Sequence, residues 1–109
     1  MKRYCLALDL VNDPALIAAY ERYHQAVWPE IRESILRVGI TGMEIYRLGN
    51  RLFMIMETDA AFSFENKARM DEADPKVQQW ETLMWTYQQA LPGAAPGEKW
   101  LLMNKIFQL

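Results

Sequence analysis

The order of periodic segments along this chain predicts an α+β fold of ferredoxin-like type, a four-stranded antiparallel sheet with helices on one face. Three observations carry that expectation. A two-residue Gly49-Asn50 loop joins two strand-like segments, 40–48 and 51–58, into a hairpin at mid-chain. An Asp-Pro pair opens a helix on either side of the hairpin, at Asp13-Pro14 and at Asp74-Pro75. One further strand-like segment lies near each end, so each half needs a helical crossover to bring its outer strand beside the hairpin.

Residues 3–10 alternate, with Tyr4, Leu6, Leu8 and Leu10 on one face and Cys5, Ala7 and Asp9 on the other. The second face is too apolar for open water and too small-sided for a thick core. Asp13 then caps a helix on which Leu16, Ile17, Tyr20, His24 and Val27 recur at helical spacing. Trp28-Pro29 breaks it, because the residue before a proline avoids the α region. A second helix starts at Pro29, turns Ile31, Ile35 and Val38 inward, and ends at Gly39. Beyond the hairpin, a helical segment holds Phe62, Phe64 and Met70, and the helix opened by Asp74-Pro75 extends to about Ala90. The stretch 91–97, with two prolines and two glycines, reads as a linker, and Trp100 to Phe107 as the last strand. The free face of such a sheet would carry Ala7, Asp9 and residues such as Met54 and Met56 or their neighbours. Two copies could cover each other's free faces, which predicts a homodimer.

At 109 residues the chain is one domain, 1–109. Its 51% apolar and 24% charged residues suffice for one core and argue against disorder. A net charge of -2 with scattered Lys and Arg supplies no footprint for nucleic acid. Cys5 is alone, and no Cys/His cluster suggests a metal. No apolar stretch approaches the roughly 20 residues that span a membrane. With no signal-peptide pattern at the start, the expected location is the cytoplasm.

The chemistry concentrates in the segment from Tyr20 to Glu30. It contains His24, the single histidine, and Tyr20 lies one turn earlier on the same helix face. A phenol beside an imidazole can pass protons, since imidazole in water titrates at roughly 6.5. A structural reading stands beside the functional one at each position. His24 would be a half-buried histidine bonded to a neighbour, Tyr20 a core aromatic, and Trp28 a staple over the broken helix. Asp9, among leucines, is either an exposed strand end or a buried acid with a raised pKa. Trp80 is a core residue or a stacking platform for a sugar, and Glu81 a solvated helix residue or a ligand. Met43 and the other methionines read as core filler. Glycine-rich phosphate cradles and the GxSxG elbow are absent, so nucleotide use and acyl transfer are not indicated. Proton transfer by side chains is the reaction such a set can run.

The run Tyr20-x-x-x-His24, then Val27-Trp28-Pro29-Glu30, Gly39, Ile45-Tyr46, Leu52-Phe53, Trp80 and Lys105-Ile106-Phe107 resembles the L-rhamnose mutarotase family, which includes L-fucose mutarotases. The similarity runs through nearly the whole chain. It implies a small homodimer of ferredoxin-like, dimeric α/β-barrel type, without a cofactor, that interconverts the α and β pyranose anomers of a 6-deoxy sugar. By position, the resemblance makes His24 the proton donor, Tyr20 a sugar contact and Trp80 the first of two adjacent pocket tryptophans. Glu81 stands where the second tryptophan would be, and Met43 where a sugar-contacting tyrosine would be. Those two departures leave the reaction class intact and make L-fucose the expected substrate, with L-rhamnose as the alternative.

Anomer exchange opens the hemiacetal, and the resemblance suggests that His24 acts on one oxygen. Tyr20 or a carboxylate, Asp9 or Glu81, would complete the relay. Two other classes fit the same scaffold: a cofactor-free monooxygenase or ring-cleavage enzyme with an aromatic-lined cavity, and a non-catalytic small-molecule binding domain.

Overall fold

The computed structural model describes residues 1–109. The chain runs β1 (Lys2–Leu10), α1 (Pro14–Gln25), α2 (Pro29–Arg37), β2 (Ile40–Leu48), β3 (Arg51–Thr58), α3 (Phe64–Ala73), α4 (Pro75–Trp85), β4 (Gln88–Gln89) and β5 (Leu101–Leu102). The sheet order is β2-β3-β1-β4, with β5 also paired to β1, and every pairing is antiparallel. This is the expected ferredoxin-like arrangement. The fourth strand position is shared, however, by two short segments in succession along one edge of β1.

Local sequence explains the helix starts. The Asp13 side chain accepts from the backbone N–H groups of Ala15 and Leu16, and Asp74 does the same for Lys76 and Val77. Pro14 and Pro75 follow at positions whose N–H groups no helical carbonyl could use. α1 and α2 are separated at Ala26–Trp28, where Trp28 is extended ahead of Pro29. Gly39 closes α2 with φ +99, and a Cβ there would stand 2.6 Å from Asp59 Oδ1. Both conformation and space therefore demand glycine.

Two expectations are corrected and an open one is decided. α4 stops at Trp85 and not near Ala90, because the N–H groups of Thr86 and Tyr87 fold back on the carbonyls of Leu83 and Met84. Tyr87 then accepts a hydrogen bond from Val11, and Gln88–Gln89 pair with Leu10 and Asp9. The last strand is only Leu101–Leu102, with one further bond from Met103 N–H to the Cys5 carbonyl. Beyond it Ile106, Phe107 and Leu109 are exposed. Finally, Met54 and Met56 lie on the helix-covered face. Register pairs Leu8 with Leu52, Leu6 with Met54 and Tyr4 with Met56, so all point into the core. The free face takes their neighbours Phe53 and Ile55, opposite Ala7 and Cys5.

The helix-covered face holds two buried clusters. One is Leu10, Tyr20, Ile31, Leu52, Val77, Trp80 and Met84; the other is Leu6, Val38, Ile40, Met54 and Met56. Tyr20 and Trp80 thus belong to the core, and they are also the floor of what lies above it.

Candidate active site

A cleft of about 630 Å³ opens between the helices and the covered face of the sheet. Tyr20 and His24 enter it from α1, and Trp80, Glu81, Met84 and Trp85 from α4. Met43, Ile45, Met54 and Met56 form its sheet side, while Gln88, Lys99 and Trp100 come from the C-terminal segment. Apolar side chains, methionines and tryptophans among them, make up most of the lining, with polar and charged groups set between them, the usual character of a small-molecule site.

His24 is fixed by its own helix. Its Nδ1 lies 2.8 Å from the Tyr20 backbone carbonyl. A carbonyl only accepts, so Nδ1 carries the hydrogen and Nε2 is the nitrogen left for chemistry. The Tyr20 ring stacks at 4.3 Å from the imidazole, and the Trp80 indole meets it edge-on at 5.8 Å. Two aromatic rings thereby limit the motion of the one histidine.

The Tyr20 hydroxyl accepts from Gln88 Nε2 at 3.2 Å. Burial pushes the Tyr20 pKa up to about 12; the Gln88 bond opposes this and the Glu81 charge adds to it. Tyr20 is therefore a phenol at neutral pH. Because Gln88 donates to its oxygen, its own O–H remains free to donate. Gln88 Oε1 is buried without a partner.

Glu81 is held by Lys99, whose Nζ is 2.5 Å from Glu81 Oε2 and 3.3 Å from the Glu81 backbone carbonyl. The same ammonium lies 4.8 Å from the centre of the Trp85 ring. Burial pushes the Lys99 pKa below that of a free lysine, against the opposing pull of Glu81.

Of the residues singled out from sequence, the cleft brings together Tyr20, His24, Met43, Trp80 and Glu81. Trp28 stands behind it, edge-on to Trp80 at 5.1 Å and beneath the Lys76 ammonium at 5.9 Å. It buttresses a wall residue from outside the lining. Asp9 does not line the cleft. Alternation puts it on the free face of the sheet, where Arg51 donates to both carboxylate oxygens at 2.8 and 3.1 Å. Sequence reasoning missed Lys99, Gln88 and Trp100. The signal for Lys99 and Trp100 was their position directly after the 91–97 turns, which return the chain to the end of α4; Gln88 offered none.

Comparison with known proteins follows the same lines. The family model described as L-rhamnose mutarotase matches residues 3–109. An L-fucose mutarotase of Xanthomonas campestris pv. campestris is 50% identical over 111 residues, covering 100% of this chain and 89% of that protein. A UPF0734 protein of Dictyostelium discoideum is 39% identical over 112 residues, covering 99% and 90%. Among solved structures, an L-rhamnose mutarotase from Formosa agariphila superposes with TM-score 0.74 at 18% identity, covering 100% of this chain and 99% of that one. Tetracenomycin F2 cyclase from Streptomyces glaucescens superposes with TM-score 0.64 at 17% identity, covering 100% and 97%. At such identities the last two establish the fold alone. With the family model spanning nearly the whole chain and a 50% identical relative alongside it, the chain belongs to the L-rhamnose mutarotase family.

Proposed function

We propose that this protein is a mutarotase that interconverts the α and β pyranose anomers of a 6-deoxy-L-sugar, with L-fucose as substrate. The supporting observation is His24, pinned through Nδ1 with Nε2 left over, in a cleft walled by Trp80 and bordered by the Tyr20 phenol. Opening the hemiacetal requires removal of the O1 proton and delivery of a proton to the ring oxygen. Neutral His24 takes one proton through Nε2. Tyr20, protonated at neutral pH, donates from its O–H to the other oxygen. The free aldehyde rotates; as the ring closes on its other face, His24 returns its proton to O1 and Tyr20 recovers its own from the ring oxygen. Acid–base help of this kind is worth about 10²–10⁴-fold, and mutarotation starts from a reaction that water already supports.

Glu81 and Met43 line the sugar-binding part of the cleft. Relation to the Xanthomonas protein supports L-fucose, and the description of the family model supports L-rhamnose as the second reading. Replacing His24 by Asn should slow enzyme-dependent anomer exchange, read by NMR saturation transfer, by about 10²-fold or more. An unchanged rate would sink the assignment.

We further propose that two copies pair through the free sheet face. Phe53, Ile55, Ala7 and Cys5 are only half-buried there, and Tyr46 and Leu48 are 53% and 86% exposed. Light scattering on an Ile55→Glu variant tests this: a dimeric wild type and a monomeric variant are expected, and a monomeric wild type refutes it. The unpaired Cys5 is in keeping with a reducing compartment, and the cytoplasm is the proposed location.

A further inference from the structure

The proton-transfer groups leave two ion pairs in the cleft lining without a task, Lys67–Asp71 within one helix and Lys99–Glu81 between distant segments. Lys99 and Glu81 bring full charges of opposite sign together beside Trp80, Trp85 and Trp100. Surface ion pairs of this kind need no explanation, but here the exposure is unusual. The Lys99 side chain is only 11% exposed, whereas Glu81 retains 42%. The cation is the buried member. Its lowered pKa means that desolvation outweighs the attraction of Glu81, so the pair is poorly explained as a device for stability.

The valences of the two groups suggest another role. An ammonium has three N–H donors. Lys99 directs two at Glu81, to Oε2 and to the backbone carbonyl. That leaves one donor on Lys99 and the second oxygen, Oε1, on Glu81. A fixed donor next to a fixed acceptor is the complement of two neighbouring hydroxyls, one oxygen accepting and the other O–H donating. The tryptophans beside them supply flat apolar surface for the C–H face of a ring.

We infer that Lys99 and Glu81 form a two-point clamp for a vicinal diol of the substrate and thereby set which 6-deoxy sugar is preferred. Lys99 donates from Nζ to one ring hydroxyl, and Glu81 accepts from its neighbour. L-fucose and L-rhamnose carry the same hydroxyls but differ in configuration at C2 and C4. A clamp of fixed spacing beside a rigid indole wall accommodates one set of directions better than the other. The arrangement is held by the chain itself: Gly93 and Gly97 adopt φ +87 and +80, turning the 91–97 connection so that Lys99 returns to the last turns of α4.

The inference rests on the mutarotase reading, and one experiment separates the two. Anomer exchange is measured by NMR across a range of L-fucose and L-rhamnose concentrations for the wild type, Lys99→Met, Lys99→Arg and Glu81→Gln. The wild type should accelerate exchange of at least one sugar. Lys99→Met and Glu81→Gln should each raise KM for the preferred sugar about 10- to 100-fold, the size of a lost charge-assisted hydrogen bond, with a smaller change in kcat. Both should also narrow the preference between the sugars. Lys99→Arg, which keeps the charge and a donor, should recover most of the affinity. Should Lys99→Met fail to give a cooperative thermal melt, Glu81→Gln carries the test, since it preserves volume. An active wild type whose KM and sugar preference move less than about twofold in Glu81→Gln and in folded Lys99→Met overturns the clamp alone. A wild type that accelerates neither sugar overturns the mutarotase reading and the clamp with it.

Discussion

Two carboxylate–cation pairs occupy opposite faces of the same sheet, and they are built in opposite senses. On the free face Asp9 is the buried member, 9% exposed, and its partner Arg51 is 61% exposed. In the cleft Lys99 is the buried member and Glu81 the accessible one. The bond to Asp9 raises the pKa of Arg51, while burial lowers that of Lys99. Arg51, directly opposite Asp9 in the β1–β3 register, satisfies a carboxylate that the fold has buried, with two bonds of the geometry that suits guanidinium. Lys99 instead gives up hydration to hold a carboxylate that still faces a cavity. The first arrangement is what stability asks for, and the second is what a binding site asks for. Sign of charge and separation alone would not distinguish them; burial of each partner does.

Substitutions on the two sides should therefore separate cleanly. The largest effect is at His24: Asn should cost about 10²–10⁴-fold in exchange rate with little loss of stability, since the ring is half-buried and its one bond is to its own helix. Trp80→Ala should remove about 3–5 kcal/mol of stability, because Trp80 is core and cleft wall at once, and thermal melts should drop steeply. Trp80→Phe would divide the two roles, keeping most of the stability. Lys99→Met should weaken sugar binding while leaving the melting temperature within a few degrees. A folded-state pKa below the unfolded one means that charged Lys99 costs stability at neutral pH, a cost that fades as pH rises through the folded pKa. Asp9→Asn should do the reverse. It should cost about 1–3 kcal/mol through the lost charge-assisted bonds and leave exchange unchanged. Equal loss of activity in Asp9→Asn would break the contrast between the faces.

The smallest effect is at Tyr20→Phe, for stability at neutral pH, where the lost bond to Gln88 is worth about 1 kcal/mol. Its pH dependence is more informative. The Tyr20 pKa is raised in the folded state, so its contribution is complete below about 10 and is lost as pH rises toward about 12. Chemical denaturation across that window should show wild-type stability falling toward that of the Phe variant. Parallel curves would refute the buried phenol.

Some of this was legible in the residues alone because it is local. Tyr20 and His24 share a face by helical geometry, and the bond from His24 Nδ1 to the Tyr20 carbonyl spans that same turn. Asp13-Pro14 and Asp74-Pro75 open their helices by contacts within three residues. Asp9 was misread because its partner is 42 positions away, and alternation reports a face without reporting who shares it. The choice between Met54 and Met56 and their neighbours for the free face stayed open for a related reason. Strand parity can be read within one strand, but which face is covered depends on register against Leu6 and Tyr4. Glu81 could be suspected beside Trp80; for Lys99, 18 residues on, the only signal was its place directly after the 91–97 turns.

The amino-acid sequence by itself determined the class of fold, the helix starts, the hairpin and the pairing of phenol with imidazole. All follow from forces that act within a turn or a hairpin. Only the tertiary structure decided which carboxylate faces the cleft, which cation attends it, and that the Tyr20 pKa rises above that of a free tyrosine. Those depend on burial and on charge, and both are properties of what distant segments bring together.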